Sequence, residues 1–178
     1  MRVETLAATR DLGWRRHRPI EAADLVVYFG ERSTVADGDT RRSLKAMFPD
    51  AIVIGCTTGG QFGGGTLIDG GVVAAAVKFD RTRIKLERVR THGMDMSRAC
   101  GRVLGGALAS PDLAGLFVLS DGLSVNGTAL INGVSDVTRP EVCIAGGLAG
   151  DGADFQTTFV DADDTPSAGT VAAVGFYG

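Results

Sequence analysis

Residues 25–59, LVVYFGERSTVADGDTRRSLKAMFPDAIVIGCTTG, align without a gap to residues 116–150, LFVLSDGLSVNGTALINGVSDVTRPEVCIAGGLAG. Six of the 35 aligned pairs are identical, and both stretches have a proline and two glycines at matching positions. A second apolar run follows each stretch, at 71–77 and again at 170–176. This correspondence predicts an internal duplication of one structural unit.

Each copy has the pattern of a strand, a helix and a second strand. Residues 24–30 and 51–54 are short apolar runs that suit buried strands. Between them, Asp39 or Thr40 is suited to cap a helix that ends at Pro49. We expect the two strands of such a unit to be parallel, with a right-handed crossover.

A third helix is predicted between the two copies, at about residues 94–109, where apolar side chains recur at helical spacing. Gly101, Gly105 and Gly106 either weaken this helix or allow another element to approach it closely. In the second copy, Asn126 is the candidate N-cap of the helix.

Antiparallel strands are expected to extend each parallel unit. Residues 72–79 and 84–89 read as strands joined by a short polar link, which predicts a hairpin. The first strand of each copy and residues 72–77 are apolar on both faces and need cover on both. The prediction is an α/β fold: a tandem pseudo-twofold repeat of strand–helix–strand units, with mixed sheets that form a two-sheet sandwich with outer helices.

We expect a single domain over residues 1–178, made of repeats at about 22–90 and 113–178 joined by the helix at about 94–109. Its three cysteines, Cys56, Cys100 and Cys143, form no Cys-x-x-Cys pair, so reduced thiols are expected. Two histidines cannot build a multi-histidine metal centre, and no metal or other cofactor is predicted. The polar start of the chain and the lack of a long apolar stretch favour a cytoplasmic protein without a membrane span.

Charge is unevenly distributed along the chain. Residues 1–102 hold 17 Lys and Arg against 12 Asp and Glu, a net +5, whereas residues 103–178 hold one against nine, a net −8. The basic run at 81–90 alternates with apolar residues as one solvated strand face does, so no nucleic-acid partner is expected. The opposite charges leave open a scaffold role and head-to-tail homo-oligomerisation, which salt would weaken.

The candidate binding site lies in two glycine-rich turns, residues 55–60 and 146–152, that directly follow the second strand of each copy. Ligands of open α/β sheets collect beyond the carboxyl ends of parallel strands, and glycine lets backbone N–H groups converge on a carboxylate. The alternative is that the glycines serve tight turns only. The predicted ligand-binding residues are Thr57, Thr58, Gly59, Asp121, Gly147, Gly150 and Asp151.

An enzymatic alternative uses Thr57 or Cys56 as the nucleophile of a hydrolase or acyl transferase. The segment Gly55-Cys56-Thr57-Thr58-Gly59 has the outline of a nucleophile elbow. That motif requires a helix directly after the turn and a nearby base. A glycine-rich segment follows here instead, and histidines are scarce, so the primary prediction is a protein without catalytic residues.

The chain resembles the N-terminal domain of the FIST family of bacterial sensory domains over roughly residues 22–178. The resemblance rests on residues 48–60, FPDAIVIGCTTGG, and on Ser120-Asp121-Gly122 followed by residues 146–152, GGLAGDG. It implies a domain of a signal-transduction protein that binds a small molecule, such as an amino acid or a similar small carboxylate. Such domains usually precede a C-terminal FIST domain, so we expect that domain or another signalling module in the full-length or partner protein.

Some FIST proteins are described as haem-based nitric oxide sensors, which gives a further alternative. A haem iron needs an axial ligand, usually histidine, and His92 is the better candidate of the two here. The more conservative interpretation is that His92 is a surface residue in a linker. We therefore expect the protein to be colourless.

Overall fold

The computed structural model describes residues 1–9, 13–68 and 70–178 and shows an α/β fold with mixed sheets, which confirms the predicted fold class. The strands are β1 (Arg2–Thr9), β2 (Gly13–His17), β3 (Leu25–Gly30), β4 (Ile52–Thr57), β5 (Gln61–Gly63), β6 (Thr66–Ile68), β7 (Gly71–Lys78), β8 (Arg83–Arg90), β9 (Leu113–Ser120), β10 (Cys143–Leu148), β11 (Val160–Ala162) and β12 (Thr170–Tyr177). The helices are α1 (Arg32–Val35), α2 (Asp39–Met47), α3 (Ser97–Leu108) and α4 (Gly127–Ser135), and a 3-10 turn precedes α3 at Met94–Met96.

The first sheet has six strands in the order β11-β4-β3-β7-β1-β2. Strands β3 and β4 are parallel, with Leu25 opposite Ile52, as the strand–helix–strand pattern predicts. All other neighbours in this sheet are antiparallel. Strands β5 and β6 form a separate two-stranded hairpin.

The second sheet has four strands in the order β10-β9-β12-β8. Strands β9 and β10 are parallel, and β12 is antiparallel to both β9 and β8. The order β10-β9-β12 matches the order β4-β3-β7 of the corresponding strands in the first sheet. The duplication and the repeat boundaries stay predictions, which superposition of residues 25–59 on 116–150 would test.

The predicted hairpin of residues 72–79 and 84–89 is wrong. Strand β7 is paired with β1 on one edge and with β3 on the other, so neither edge is left for β8. Strand β8 instead pairs with β12 in the second sheet. The link between β7 and β8 therefore crosses from one sheet to the other, and Phe79 in this link packs edge-on against Phe176, with ring centroids 5.9 Å apart.

The two sheets pack face to face through an inter-sheet core. Its first-sheet side chains include Leu25 and Ile54, and its second-sheet side chains include Leu119 and Val174, all buried. Strand β11 contacts β12 and β8 across this interface, and β4 contacts β9. The core therefore lies under one side of the first sheet, and the β7-β1-β2 side extends beyond the second sheet.

The helices cover the outer faces of the sandwich. On the first sheet, Leu44 of α2 and Val35 of α1 pack with Val26, Tyr28 and Val53. On the second sheet, buried residues of α3 and α4 pack on β9 and β12. Asn126 caps α4 as predicted, because its side-chain oxygen accepts a hydrogen bond from the Ala129 N–H. Helix α2 lacks the predicted Asp39 or Thr40 cap, and Gly38 precedes its first residue.

Most of the basic run at 81–90 is engaged with carboxylates and lies on strand β8. Arg83 pairs with Asp112, Lys85 with Glu87, and Arg88 with Asp164. No helix in the described ranges is long and apolar enough to cross a membrane.

Helices α3 and α4 cross backbone to backbone at glycines. A Cβ atom on Gly101 would collide with the Leu130 carbonyl oxygen, and one on Gly133 would collide with the Arg98 carbonyl oxygen. A Cβ atom on Gly105 would lie 2.7 Å from a methyl group of Val137. These contacts confirm close approach as the role of Gly101 and Gly105, whereas Gly106 faces open space.

Gly101→Ala is expected to lower the free energy of unfolding by about 1–3 kcal/mol, because the added methyl group forces the two helix backbones apart. The matched control is Gly106→Ala in the same helix, which should raise stability by about 0.5–1 kcal/mol, since alanine favours the helix and nothing obstructs its methyl group. Urea denaturation followed by circular dichroism measures both changes. Equal effects of the two substitutions would show that the crossing does not depend on glycine.

Candidate functional site

The two glycine-rich turns meet in the structure. The Gly150 N–H donates to the Thr57 carbonyl oxygen at 2.9 Å. A Cβ atom on Gly59 would lie only 3.1 Å from the Cα of Gly152. Of the predicted site residues, Thr57, Thr58, Gly59, Gly150 and Asp151 belong to these adjoining turns.

Most polar groups of the first turn are used in internal hydrogen bonds. Thr57 is fully buried, and its hydroxyl oxygen accepts from the Phe159 N–H at 3.1 Å. The Thr57 N–H donates to the Phe159 carbonyl oxygen at 3.0 Å. The Thr58 hydroxyl lies 2.8 Å from the side-chain amide of Gln61. These bonds join the turn to its neighbours and support the alternative of tight structural turns.

Asp121 is buried and organises the loops around it. One carboxylate oxygen accepts from the N–H groups of Leu123 and Ser124, and the other accepts from the Gly169 N–H at 2.9 Å. Burial alone would raise the pKa of this carboxyl, but the hydrogen bonds from Gly169 and Ser124 hold it below its ordinary value. The side chain is therefore an ionised anchor for the loop before β12.

Asp151 and Gly147, the two predicted residues not yet described, lie in different surroundings. One carboxylate oxygen of Asp151 accepts from the N–H groups of Thr157 and Gln156, which lower its pKa, and Arg32 lies 3.5 Å away. Gly147 is exposed on β10 and lines a separate cavity of about 210 Å³ beside α4. The structure thus brings five predicted residues into one place and leaves Asp121 and Gly147 outside it.

Neither candidate nucleophile has a reactive environment. Cys56 is buried, and desolvation raises the pKa of its thiol to about 12, which disfavours the thiolate that would attack. Thr57 has no exposed surface, and its hydroxyl already accepts a backbone hydrogen bond. A substrate could reach neither side chain without local unfolding.

A groove runs over the part of the first sheet that the second sheet does not cover. It has a volume of about 600 Å³, within the usual range for small-molecule sites. The side chains on its floor, from β3, β7 and β1, lie on the face of the sheet opposite to α2. The sequence predicts cover on both faces of β7, but Val73 and Ala75 are only half-buried.

The groove has an apolar floor, a wall and a cationic edge. The hairpin β5–β6 forms the wall, where Phe62 is 72% exposed and Gly63 lies against Val73. Arg15 and His17 on the edge strand β2 line one side. The polar residues Thr5, Thr9 and Thr66 also line it.

The FIST N domain family matches residues 24–178, which include both glycine-rich turns and every strand from β3 onward. The chain belongs to this family. A comparison with curated proteins gives no match. The FIST domain is a sensory domain, which points to a role in signal transduction.

The haem alternative places its axial ligand at a surface link of the FIST domain. His92 is exposed between β8 and the 3-10 turn, and its neighbours Met94 and Met96 are also exposed. It does not line the groove or the cavity beside α4. These surroundings do not fit a haem, which requires an apolar pocket around its axial ligand.

A buried polar pair in the FIST domain was missed by the sequence analysis. Asp161 of β11 is fully buried and accepts a hydrogen bond from the Tyr28 hydroxyl at 2.8 Å. The two residues lie on either side of Gly55, whose strand β4 separates β3 from β11, and a Cβ atom on Gly55 would collide with the tyrosine ring. The only sequence signal is an aspartate within the otherwise apolar segment 159–162.

Burial raises the pKa of Asp161 to about 7. Hydrogen bonds from Tyr28 and the Asp164 N–H and the charge of Arg41 oppose this rise, and the charge of Asp163 adds to it. The pKa of Tyr28 is raised well above its ordinary value, first by burial and then by Asp161. The pair therefore keeps a proton on Asp161 in the native state at pH values where the unfolded chain has lost it.

The contribution of Asp161 to the free energy of unfolding is expected to fall as the pH rises from about 4 to about 7. In this window the native state binds one more proton than the unfolded state, whose carboxyl ionises near 3.8, so rising pH favours unfolding. A shift of this size corresponds to about 4 kcal/mol at most. Asp161→Asn should remove this component, and the difference between the two pH profiles from urea denaturation measures it.

The control is Asp164→Asn. The Thr165 N–H and Arg88 lower the pKa of Asp164, so its contribution to stability is present above the ordinary pKa and is lost as the pH falls. Its difference profile should have the opposite sign. Parallel profiles for the wild type and Asp161→Asn between pH 4 and 7 would contradict the prediction.

Proposed function

We propose that this FIST domain is a cytoplasmic, small-molecule-sensing domain of a bacterial signal-transduction protein, and that its ligand is a small organic acid, with amino acids included in that class. Family membership supports the sensory role. The observation that carries the proposal is the groove of about 600 Å³, with its apolar floor and cationic edge. Concave sites of this kind are where small molecules bind.

The groove is a better location for the ligand than the glycine-rich turns. At the turns, the carboxylate of Asp151 and the hydroxyl of Thr57 already hold backbone N–H groups, so a ligand would have to displace internal hydrogen bonds. In the groove, half-buried apolar side chains lose contact with water when a ligand covers them, which favours binding. The predicted residues Thr57, Thr58, Gly59, Asp121, Gly147, Gly150 and Asp151 remain the alternative location for the same function.

Signal output requires a partner that responds to the occupied domain. A C-terminal FIST domain or another signalling module, in the full-length or partner protein, stays our prediction for that role. Homo-oligomerisation stays open, and we propose no role for nucleic acid.

Thermal shift with a panel of amino acids and small carboxylates tests the proposal. A ligand present at 100 times its Kd stabilises the native state by about 2.7 kcal/mol, which raises Tm by about 5–10 °C for a domain of this size. Ala75→Leu should abolish the shift, because the larger side chain fills the groove floor. Ala99→Leu, on the exposed face of α3, makes the same change outside the groove and should leave the shift intact.

Gly150→Ala distinguishes the two locations. A Cβ atom at this position would lie 3.6 Å from the Gly59 nitrogen, an ordinary contact, so the variant should fold. Its added methyl group changes the surface that the turn presents to a ligand. A shift lost in Gly150→Ala and kept in Ala75→Leu would place the ligand at the turns. No shift with any compound, in this chain and in its full-length form, would overturn the sensing function.

A further inference from the structure

We propose that the groove binds monocarboxylates with a hydrocarbon tail in preference to α-amino acids, with the carboxylate at Arg15 and His17 and the tail on the floor of the first sheet. This inference rests on the proposed function and specifies the chemical class of its ligand. It follows from the register of four neighbouring strands.

Two rows of side chains cross the first sheet from β3 to β2. In the first row, Phe29 lies opposite Val73, Val73 opposite Ala7, and Ala7 opposite Arg15. Each row spans three strand spacings, or about 14 Å. The first row therefore changes from apolar to cationic along one line in the groove.

The second row repeats this order. Val27 lies opposite Ala75, Ala75 opposite Thr5, and Thr5 opposite His17. Both rows end on the edge strand β2, two residues apart, so Arg15 and His17 point to the same side of the sheet. Two neighbouring nitrogen donors on an apolar surface match one carboxylate with an attached tail.

Arg16, which lies between these residues in sequence, serves a different purpose. Its guanidinium forms an ion pair with the buried Glu4 and donates to the Ile20 carbonyl oxygen at 3.1 Å. Strand alternation places it on the helix side of the sheet, beside Leu6. The polar edge of the groove therefore consists of the guanidinium of Arg15 and the imidazole of His17, with Arg16 held by the fold.

An α-amino acid fits this chemistry poorly. Its ammonium group is held best by a carboxylate, and no Asp or Glu lines the groove within the described residues. The neutral hydroxyls of Thr5, Thr9 and Thr66 can accept hydrogen bonds there but do not balance the charge. Moving an ammonium group onto an apolar floor without a charged partner is costly. A tail, by contrast, covers Val73, Ala75 and the exposed ring of Phe62 on the hairpin wall.

Isothermal titration calorimetry on the whole chain with butanoate, hexanoate and octanoate is the direct test. Affinity should rise about fourfold for each added methylene group, the value for transfer of a methylene group out of water. 2-Aminooctanoate should bind at least tenfold more weakly than octanoate. Octan-1-ol, which has a similar tail and no charge, should bind more weakly than octanoate as well.

Single substitutions test where the carboxylate and the tail of the ligand bind. Arg15→Gln and His17→Gln should each weaken octanoate binding by about tenfold and leave octan-1-ol binding unchanged. Arg18→Gln removes the same charge from a neighbouring exposed residue outside the groove and should change neither affinity. Ala75→Leu should weaken both compounds, since it fills the floor on which the tail lies.

The outcomes separate this inference from the proposed function. Amino acids that bind as tightly as tailed acids and lose binding in Ala75→Leu would overturn the inference and leave the sensing function standing. Binding that does not depend on tail length but is lost in Arg15→Gln would reduce the site to an anion site and would also overturn it. Failure of every acid, amino acid and alcohol to bind would overturn both.

Discussion

The inter-sheet core is the interaction on which the rest of the structure depends. It forms where β4 and β11 lie over β9, β12 and β8. Strand β11 lies in the second half of the chain, yet it pairs with β4 of the first half. Each sheet is therefore completed or buried by residues from the other half of the chain.

The pairing of β11 with β4 also places a carboxyl group, that of Asp161, in the interior of the protein. Because β11 adds to the edge of the first sheet, Asp161 is carried past Gly55 to the Tyr28 hydroxyl. Next to it, the Asp163 N–H donates to the Val53 carbonyl oxygen at 2.8 Å, and the Asp163 carboxylate pairs with Lys45 at 2.8 Å. Strand β11 and the Asp163 residue that follows it thus tie together β4, β3 and α2. The groove has a related origin, because a sheet of six strands packs on one of four and extends beyond it.

Much of the fold could be predicted from local patterns. Apolar runs locate β3, β4, β7, β9 and β12, Pro49 marks the end of α2, and Asn126 identifies the N-cap of α4. Helix α4, however, ends at Ser135, well before Pro140. The pairing of β8 could not be predicted in this way, because the alternation of polar and apolar side chains shows which face of a strand is buried and says nothing of which edge is occupied. Strands β1 and β11 were not predicted either, because their partners β7 and β4 are distant in sequence.

The candidate site could be predicted only in part. Glycine composition correctly indicates turns that adjoin, because backbones can approach closely there. Whether a hydroxyl such as that of Thr57 is available to a ligand depends on a partner 102 residues away, the Phe159 N–H, which no local pattern contains. The groove is a property of sheet width and offset. The strand register is therefore needed to show that residues such as Ala75 and Arg15 lie on the same face of the sheet, in the groove.

The hairpin β5–β6 is connected along the chain to β4 at one end and to β7 at the other. One attachment is residues 58–60, which continue directly from Thr57, the acceptor of the Gly150 N–H, and the other is the segment before β7. Residues 58–60 lie where the two halves of the chain touch, so the wall of the groove begins directly at the junction between the halves.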